Sequence, residues 1–295
     1  MKSWPPVFTY YSSAAYFPSE EYGKVFQTWV SHGAKHIVLD HWQIARLPGS
    51  RGDYHPKQVQ REALAAGLVF ADSHALFGEA FDLAQPVPAQ RRLNLEERLR
   101  ELRYAEELGV TTMTFHPGSE RFYPEYNLEQ LFDLACQSIE ELLPHAERHG
   151  ITICLENNWC RLAAPDVLLR FKARFPDTPF LGFCYDSGHA NLMEKGHAFP
   201  DSDARAIWEK TPGKIVWEQH ALEKMLPHIV NCHLHDNDGR TDQHLFPGQG
   251  TVDWIATKEL LKKAPRLQVL QSEVSCRSYD AIAQTCDAFQ NWLLR

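Results

Sequence analysis

Short β-rich runs alternate with longer stretches of helical periodicity along the whole chain, and this alternation limits the folds open to it. Most of the runs are continuously apolar, as expected for parallel strands that are covered on both faces. Eight such runs occur, at residues 7–12, 36–42, 68–74, 110–116, 151–157, 181–187, 229–235 and 269–275. Strands that alternate with helices indicate an α/β fold built on a parallel sheet.

The length of the chain alone does not decide between one domain and two. A chain of 295 residues fits two average domains, but it also fits one (β/α)8 barrel, which needs about 250 residues. Because no linker, low-complexity segment or long repeat interrupts the alternation, we predict an α/β (β/α)8 TIM barrel, a single domain over residues 1–295. The main rival, a doubly wound open sheet, usually has a glycine-rich turn after its first strand, and VFTYYSSAAYF contains no glycine.

The stretches between the runs have the three- and four-residue spacing of amphipathic helices. Three of them are at residues 93–108, 128–149 and 278–294. In the first, Asn94 is predicted as the N-cap and Gly109 as the residue that ends the helix. Two polar insertions, at residues 49–56 and 200–213, depart from strict alternation.

Charge and cysteine usage exclude several classes of protein. The chain carries 30 Lys+Arg and 38 Asp+Glu, a net charge of −8, which argues against nonspecific binding to nucleic acid or to anionic membranes. The N-terminal segment has no apolar signal-peptide core, and no run of about 18 apolar residues is present to span a membrane. Cys154, Cys184 and Cys232 lie in apolar runs and are interpreted as small core residues. We expect a cytoplasmic protein with reduced thiols.

Acidic and imidazole side chains stand where six of the eight runs stop being apolar. They are His74, His116, Glu156, Asp186, His233 and Glu273. In a closed parallel barrel these strand ends form one ring around one mouth, where barrel enzymes place their chemistry. Each residue alone is explained by a helix N-cap, an ion pair or solvation. Together, several carboxylates in a low-dielectric mouth repel one another, and a divalent cation relieves that repulsion.

The loops after the sixth and seventh runs add further polar side chains to the predicted mouth. His189 follows Asp186 by three residues, and the later loop carries Arg240, Asp242 and His244. Carboxylates with imidazoles suit Mn²⁺, Mg²⁺, Co²⁺ or Zn²⁺ better than a thiolate site does. The next segment, residues 247–250 (PGQG), predicts a tight turn, with a phosphate site at its amides as the alternative.

These residues together resemble the xylose isomerase-like TIM-barrel superfamily, which includes sugar isomerases, ketose 3-epimerases, inosose and dehydroshikimate dehydratases and endonuclease IV. The resemblance covers essentially the whole chain. It is carried by FHPG at 115–118, CLENN at 154–158, YDSGH at 185–189, HLHDND at 233–238, DQH at 242–244, PGQGTVDW at 247–254 and QSE at 271–273. The set is specific for the superfamily and poorly specific for a substrate.

The ketose epimerase pattern implies one divalent metal ion (Mn, Mg, Co or Zn). Its implied ligands are Glu156, Asp186, His233 and Glu273, and the substrate-binding residues expected around it are His74, His116, His189, Arg240, Asp242 and His244. The endonuclease IV pattern also fits. It implies three zinc ions held by His74, His116, Glu156, Asp186, His189, His233, Asp242, His244 and Glu273. One departure is Gln243, which stands where that loop usually carries an arginine.

The residues and the resemblance predict a divalent-metal-dependent sugar isomerase or epimerase that transfers a proton next to a carbonyl through an enediolate. The metal would act as a Lewis acid. Glu156 and Glu273 are the predicted catalytic groups, one of which removes the proton from carbon and the other returns it. If they stand on opposite faces of the substrate, the result is epimerisation. If only one acts on carbon, isomerisation or dehydration follows.

Three alternatives stay open at this point. The first is a metal-dependent dehydratase, a lyase that acts on a cyclic polyol or keto acid at the same site. The second is an endonuclease IV-like trinuclear zinc phosphodiesterase. The net charge and the sparse arginines at 46–51 and 91–92 disfavour this hydrolase. The third is a barrel that only binds a sugar.

The expected partner is a small-molecule sugar or polyol, and no nucleic acid or membrane is expected. Relatives are often dimers or tetramers, so the resemblance also admits a homo-oligomer. Four aromatic residues in the loops after strands are candidates for the wall of a sugar pocket, because sugar C–H faces pack on aromatic rings. They are Trp42, Phe77, Trp159 and Phe246.

Overall fold

The computed structural model describes residues 4–44, 55–211 and 213–294, and the strands in this part of the chain close into a parallel barrel. The eight strands follow one another in sequence order around it. They are β1 (Val7–Tyr10), β2 (His36–Leu39), β3 (Val69–His74), β4 (Thr112–Phe115), β5 (Thr152–Glu156), β6 (Leu181–Asp186), β7 (Ile229–Leu234) and β8 (Val269–Ser272). Tyr10 of β1 pairs with Ser272 of β8, which closes the ring. The predicted (β/α)8 TIM barrel is confirmed.

Helices connect the strands and pack around the barrel. They are α1 (Tyr22–Ser31), α2 (His41–Ile44), α3 (Pro56–Ala65), α4 (Pro88–Glu107), α5 (Leu128–Arg148), α6 (Pro165–Arg174), α7 (Ser187–Lys195), α8 (Asp203–Trp208), α9 (Ala221–Met225), α10 (Trp254–Leu261) and α11 (Tyr279–Leu294). Short 3₁₀ helices lie at Ala14–Tyr16, Ser19–Glu21, Glu79–Phe81, Glu120–Phe122, Arg161–Ala163, Gly196–Ala198 and Leu226–His228. None of the helices in the described ranges combines the length and hydropathy that a membrane crossing needs.

The main apolar core lies between the strands and the surrounding helices. Trp29 of α1, Phe171 of α6 and Phe289 of α11 are fully buried, together with Phe70 of β3. Each such side chain stabilises the fold by about 1.5–3 kcal/mol through loss of apolar surface to water. This layer holds the strands in place and leaves their carboxyl ends free to carry polar side chains.

A second apolar cluster consists of Cys154, Cys184 and Val230. Because side chains alternate along a strand, Cys154 faces the same side of the sheet as Glu156, and Cys184 the same side as Asp186. The prediction that these two cysteines and Cys232 are core residues is confirmed, since all three are fully buried. All seven cysteines of the chain are buried thiols.

The predicted helices exist, but one boundary differs. The helix expected at 93–108 begins earlier, because Pro88 has a fixed backbone angle that suits a first helical turn. The prediction of Asn94 as N-cap is therefore wrong. Asn94 lies inside α4, where its side chain donates a hydrogen bond to the carbonyl of Asp82 at 3.3 Å. Gly109, with φ +77°, follows the end of the helix as predicted.

The polar insertion at residues 200–213 is described except for residue 212. It contains α8, and Trp208 of this helix packs in a separate apolar cluster with Met193 and Ala204. The indole N–H of Trp208 donates to the carbonyl of Trp159, so the insertion supports the loop after β5. Most of the other insertion, and the arginine stretch at 46–51, lie outside the described residues.

Candidate functional site

The strand ends carry six of the predicted site residues to one mouth of the barrel. His74, Glu156 and Asp186 are the last residues of β3, β5 and β6, His233 is the last but one of β7, and His116 and Glu273 follow β4 and β8 directly. The strand register places Asp186 beside His233. Because the strands are parallel, all six side chains stand at the same end of the barrel.

Four of these side chains form the tightest group, called here the central group: Glu156, Asp186, His233 and Glu273. Each offers one ligand atom, and the four atoms lie within 4.8 Å of one another. Nδ1 of His233 is 2.7 Å from Oε1 of Glu156 and 3.5 Å from Oε1 of Glu273. Glu156, Asp186 and His233 are at most 1% exposed, and Glu273 is partly open to the cavity.

The pKa shifts in the central group indicate that protonated imidazoles balance the negative charge of its carboxylates. Burial alone would raise the pKa of Glu156, but His233 and His116 lower this pKa well below its usual range. Nε2 of His116 lies 2.8 Å from Oε2 of Glu156. Burial would lower the pKa of His233, but Glu273 and Glu156 raise it to about 10. Imidazolium charge therefore compensates the carboxylates.

The same residues fit a divalent cation. Three carboxylates and one imidazole supply oxygen and nitrogen donors, the set that Mn²⁺, Mg²⁺, Co²⁺ and Zn²⁺ accept in proteins. Buried like charges this close together are unfavourable unless a positive charge stands between them. A cation in the central group would take the place of the proton on Nδ1 of His233, because only an unprotonated nitrogen can bind a metal.

A second set of acidic and imidazole side chains adjoins the central group. Nε2 of His244 lies 3.2 Å from Oδ2 of Asp242, and Nε2 of His189 lies 3.6 Å from the same atom. Burial would raise the pKa of Asp242, but His189 and His244 hold it far below its usual range. Burial would lower the pKa of His244, but Asp242 raises it to about 10.

His235 lies in the site although it is not among the site residues predicted from the sequence. It is fully buried, its Nε2 atom lies 3.2 Å from the Asp186 carboxylate, and its ring stacks on His244 at 4.0 Å. The alternation in His233-Leu-His235 puts both imidazoles on one face of the strand, so the sequence spacing already indicates that His235 faces the same side as His233. His235 thus belongs to two further groups that can hold a cation, Asp186/His189/His235 and His235/His244/Glu273.

Gly188 makes room for His235. A Cβ atom at this position would lie 1.9 Å from Cε1 of His235, which no side chain can tolerate. The preceding Asp186 caps α7 by accepting a hydrogen bond from the amide of His189 at 2.6 Å. The Asp-Ser-Gly-His sequence therefore combines an N-cap, a close approach and an imidazole that faces the mouth.

The mouth opens into a cavity of about 310 Å³ with an aromatic wall. The ring of Phe77 lies 4.8 Å from that of His116 and 4.7 Å from that of His41, and Trp159 stands edge-on to His189 at 4.8 Å. Of the four aromatic candidates, Phe77 and Trp159 line the cavity. The other two, Trp42 and Phe246, pack against the main core instead.

The structure does not bring Arg240 to the cavity, and the predicted substrate contact is corrected on this point. Its guanidinium forms an exposed ion pair with Asp201. The cause is a surface turn in which the Asp238 carboxylate accepts the amide of Arg240 at 2.8 Å and directs the segment outward. Among the described residues that line the cavity, Arg121 is the one Lys or Arg side chain, and it stacks on Phe122 at 4.6 Å. The other predicted substrate-binding residues line the cavity: His74, His116, His189, Asp242 and His244.

The loop at residues 247–254 is held by a carboxylate. Asp236 accepts hydrogen bonds from the amide of Gly248 at 2.8 Å and the indole of Trp254 at 2.9 Å. A Cβ at Gly250 would lie 2.1 Å from the carbonyl oxygen of Asn237, so the turn also needs a glycine there. The predicted tight turn is confirmed, and the Asp236 carboxylate occupies donors that the phosphate alternative would use.

A family model described as "Xylose isomerase-like TIM barrel" matches residues 26–288. The chain belongs to this family. Among curated relatives of this xylose isomerase-like barrel, the uncharacterized protein y4fM of Sinorhizobium fredii is 27% identical over 176 residues. The match covers 57% of this chain and 48% of the relative, so the chain spans about half the length of that relative.

Solved structures of the same architecture include sugar epimerases. A D-tagatose 3-epimerase-like protein has a TM-score of 0.72 at 21% identity over 98% of this chain and 97% of that one. An L-ribulose 3-epimerase has a TM-score of 0.69 at 14% identity, with coverage of 97% and 94%. A xylose isomerase-like barrel from Mycobacterium smegmatis in complex with magnesium has a TM-score of 0.64 at 16% identity, with coverage of 99% and 98%. At these identities the likeness concerns the fold of the xylose isomerase-like barrel.

Proposed function

We propose that this chain is a divalent-metal-dependent sugar isomerase or epimerase that transfers a proton next to a carbonyl through an enediolate. The observation that carries the proposal is the convergence of Glu156, Asp186, His233 and Glu273, whose ligand atoms lie within 4.8 Å of one another. Sugar epimerases are among the proteins of like fold, and one xylose isomerase-like barrel of that set is described in complex with magnesium.

The central group would hold the cation through the carboxylates of Glu156, Asp186 and Glu273 and Nδ1 of His233. When bound, a divalent ion supplies Lewis acidity toward the carbonyl and the neighbouring hydroxyl oxygen of the substrate. The donor set alone admits Mn²⁺, Mg²⁺, Co²⁺ or Zn²⁺. The proposed stoichiometry is one ion per chain.

Glu156 and Glu273 are the proposed acid–base pair. They extend from β5 and from the end of β8, which are three strands apart around the barrel, so they approach a substrate from different directions. His233 and His116 keep Glu156 ionised, which makes its carboxylate ready to accept a proton from carbon. Glu273, which lines the cavity, would return a proton from its own side.

The remaining side chains of the mouth position the substrate in this proposal. His189 donates from Nδ1 to the carbonyl of Asn157 at 2.9 Å, and this contact fixes its ring beside the cavity. His74, His116 and His244 offer polar edges, while Phe77 and Trp159 offer apolar faces for sugar C–H groups. The cavity of about 310 Å³ lies at the lower end of the range for small-molecule pockets and suits a small sugar or polyol.

The experiment that tests this function is a substrate panel in D₂O. Ketoses and cyclic polyols are incubated with the purified chain and Mn²⁺, and products are followed by NMR. We expect deuterium to enter the carbon next to the carbonyl, since an enediolate exchanges its proton with solvent. An epimer, an isomer or a dehydrated product then identifies which of the three reactions occurs. Turnover without deuterium in any product would contradict the enediolate mechanism.

A second candidate is the trinuclear zinc phosphodiesterase. It is favoured by the two further donor groups, Asp186/His189/His235 and His235/His244/Glu273, which adjoin the central group. Metal analysis after loading with zinc separates the candidates. About three zinc ions per chain together with cleavage of a phosphodiester would support the phosphodiesterase, whereas one ion supports the sugar enzyme.

A further inference from the structure

A column of buried polar side chains runs beneath the central group, through the interior of the barrel. It consists of Asp72, Thr112, Thr114 and Asn231, and all four are fully buried. The Asn231 amide donates to both carboxylate oxygens of Asp72 at 3.2 Å and to Oγ1 of Thr114 at 2.9 Å. Oγ1 of Thr114 in turn lies 3.2 Å from Nε2 of His233. The column thus links a buried carboxylate to the imidazole of the central group.

Asp72 fixes which atoms of the column donate hydrogen bonds and which accept them. Its hydrogen bonds come from the Thr112 hydroxyl at 2.6 Å, the Ser73 amide at 2.9 Å and Asn231. A carboxylate accepts hydrogen bonds only, so Asn231 must turn its NH₂ group, not its oxygen, toward Asp72. The same NH₂ group then donates to Thr114, whose oxygen keeps a further lone pair for His233.

The two ring nitrogens of His233 face different surroundings. Nδ1 points at Glu156, and Nε2 points at Thr114. A neutral imidazole that binds a cation through Nδ1 carries its one proton on Nε2, and that N–H needs an acceptor when it is buried. Burial without an acceptor costs about 1–3 kcal/mol.

We propose that Thr114, oriented by Asn231 and Asp72, is a positioning residue that accepts the Nε2 proton of His233 and so presents Nδ1 as a metal ligand. This inference rests on the proposed metal site of the central group. It assigns a role to a buried carboxylate and a threonine hydroxyl on β3 and β4, neither of which touches the cation or the substrate.

The column is larger than a purely structural role requires. Replacing buried charged and polar groups by apolar side chains of the same shape is often neutral or stabilising. Here the buried Asp72 carboxylate accepts hydrogen bonds from neutral donors. These bonds hold the carboxylate in place or orient Asn231 toward Thr114. Hydrogen bonds around a metal ligand orient its ring, and their loss typically weakens metal binding about 10–100-fold.

The test compares the Mn²⁺ affinity of the full chain with that of Thr114→Val and Thr114→Ser, by calorimetry and by the EPR signal of free Mn²⁺. We expect Thr114→Val to bind about 10–100-fold more weakly and Thr114→Ser, which keeps the hydroxyl, to bind within about threefold of wild type. Thr9→Val is the matched control, because Thr9 is also a fully buried strand threonine, and its hydroxyl has no hydrogen-bond partner in the described part of the chain. It should bind Mn²⁺ like wild type.

A spectroscopic measurement identifies the cause. In the Zn²⁺-loaded wild type, ¹⁵N NMR should show His233 protonated at Nε2 and not at Nδ1. Unchanged Mn²⁺ affinity in Thr114→Val, or equal loss in Thr114→Ser and Thr114→Val, would overturn the positioning role. The Mn²⁺ affinity is measured without sugar, so the two proposals can fail separately. A chain that binds Mn²⁺ and shows the expected order of affinities among the variants, but converts no sugar, supports the positioning role and contradicts the proposed activity. A wild-type chain that binds no Mn²⁺ overturns both.

Discussion

The Nδ1 atom of His233 lies 2.7 Å from Oε1 of Glu156, although 77 residues separate the two along the chain. The contact joins β7 to β5 at the mouth of the barrel and stands at the centre of the proposed site. Under the proposed function, a divalent cation would take the place of the proton shared in this contact. Metal binding and protonation would then compete for Nδ1 of His233, so the proposed metal site can be tested before any substrate is known.

Metal affinity should rise with pH. Mutual attraction with Glu273 and Glu156 raises the pKa of His233 to about 10, so its ring carries both protons at pH 7. Binding through Nδ1 must release one proton, and the apparent affinity for Mn²⁺ should increase about tenfold per pH unit between pH 7 and 9. Calorimetry in buffers of different ionisation enthalpy measures the proton directly. Binding that releases no proton over this range would exclude Nδ1 as a ligand.

The same raised pKa values predict how the metal-free fold responds to pH. A folded pKa above the unfolded value near 6.5 stabilises the protein fully below pH 6.5, and this stability is lost as pH rises through about 10. His233 and His244 both behave in this way. With EDTA present, the melting temperature should fall between pH 7 and pH 10, and the fall should be smaller in His244→Gln. An identical fall in both proteins would show that His244 contributes nothing.

Replacing either proposed acid–base residue should stop proton transfer. Glu156→Gln and Glu273→Gln keep the side-chain shape but cannot accept a proton, so each should lower the rate of deuterium incorporation by about 10²–10⁴-fold. Glu259→Gln is the control, because Glu259 is an exposed glutamate of α10 that pairs with Lys262 far from the mouth. Near-normal turnover in both site variants would remove them from the mechanism.

Gly188→Ala tests the packing of His235. The added Cβ would lie 1.9 Å from the imidazole, so the ring must shift or the helix must move. We expect a loss of about 1–3 kcal/mol in the free energy of unfolding, the usual cost of overpacking, together with weaker metal binding. The control Gly23→Ala adds a methyl group inside a helix with its nearest contact at 3.4 Å, and it should be neutral or slightly stabilising. Equal stability of the two variants would refute the close approach.

Arg121 is expected to affect substrate binding, whereas Arg240 is not. Arg121 lines the cavity, whereas Arg240 pairs with Asp201 at the surface. Exposed charged contacts contribute up to about 1 kcal/mol, so Arg121→Ala should raise KM about twofold to fivefold. Arg240→Ala should leave kcat and KM within about twofold of wild type. The reverse pattern would restore Arg240 as a substrate contact.

The sequence predicted the strands and the strand-end residues because both depend on short-range patterns. Glu156 and Asp186 follow continuous apolar runs, and parallel topology alone brings such ends together. Arg240 was misplaced because its position depends on a surface turn around Asp238, which periodicity does not encode. The start of α4 differs from the prediction because the first turn, from Pro88, carries few apolar residues and so adds nothing to the apolar spacing that begins near Leu93.

The polar column could not be predicted in the same way. Asp72, Thr114 and Asn231 lie on three different strands, and their contacts depend on strand register and on which face each side chain takes. The register of β2 against β3 shifts between Ile37 and Val38, and that of β6 against β7 shifts after Phe183. One residue of register exchanges the interior and exterior faces of a strand, so such contacts need coordinates.

The proposed metal site is tested most directly by a crystal structure of the chain soaked in Mn²⁺, with anomalous diffraction data collected at the manganese absorption edge. We expect one strong anomalous peak within bonding distance of Glu156, Asp186, Nδ1 of His233 and Glu273. Manganese bound elsewhere, or these four side chains without an anomalous peak between them at saturating Mn²⁺, would contradict it.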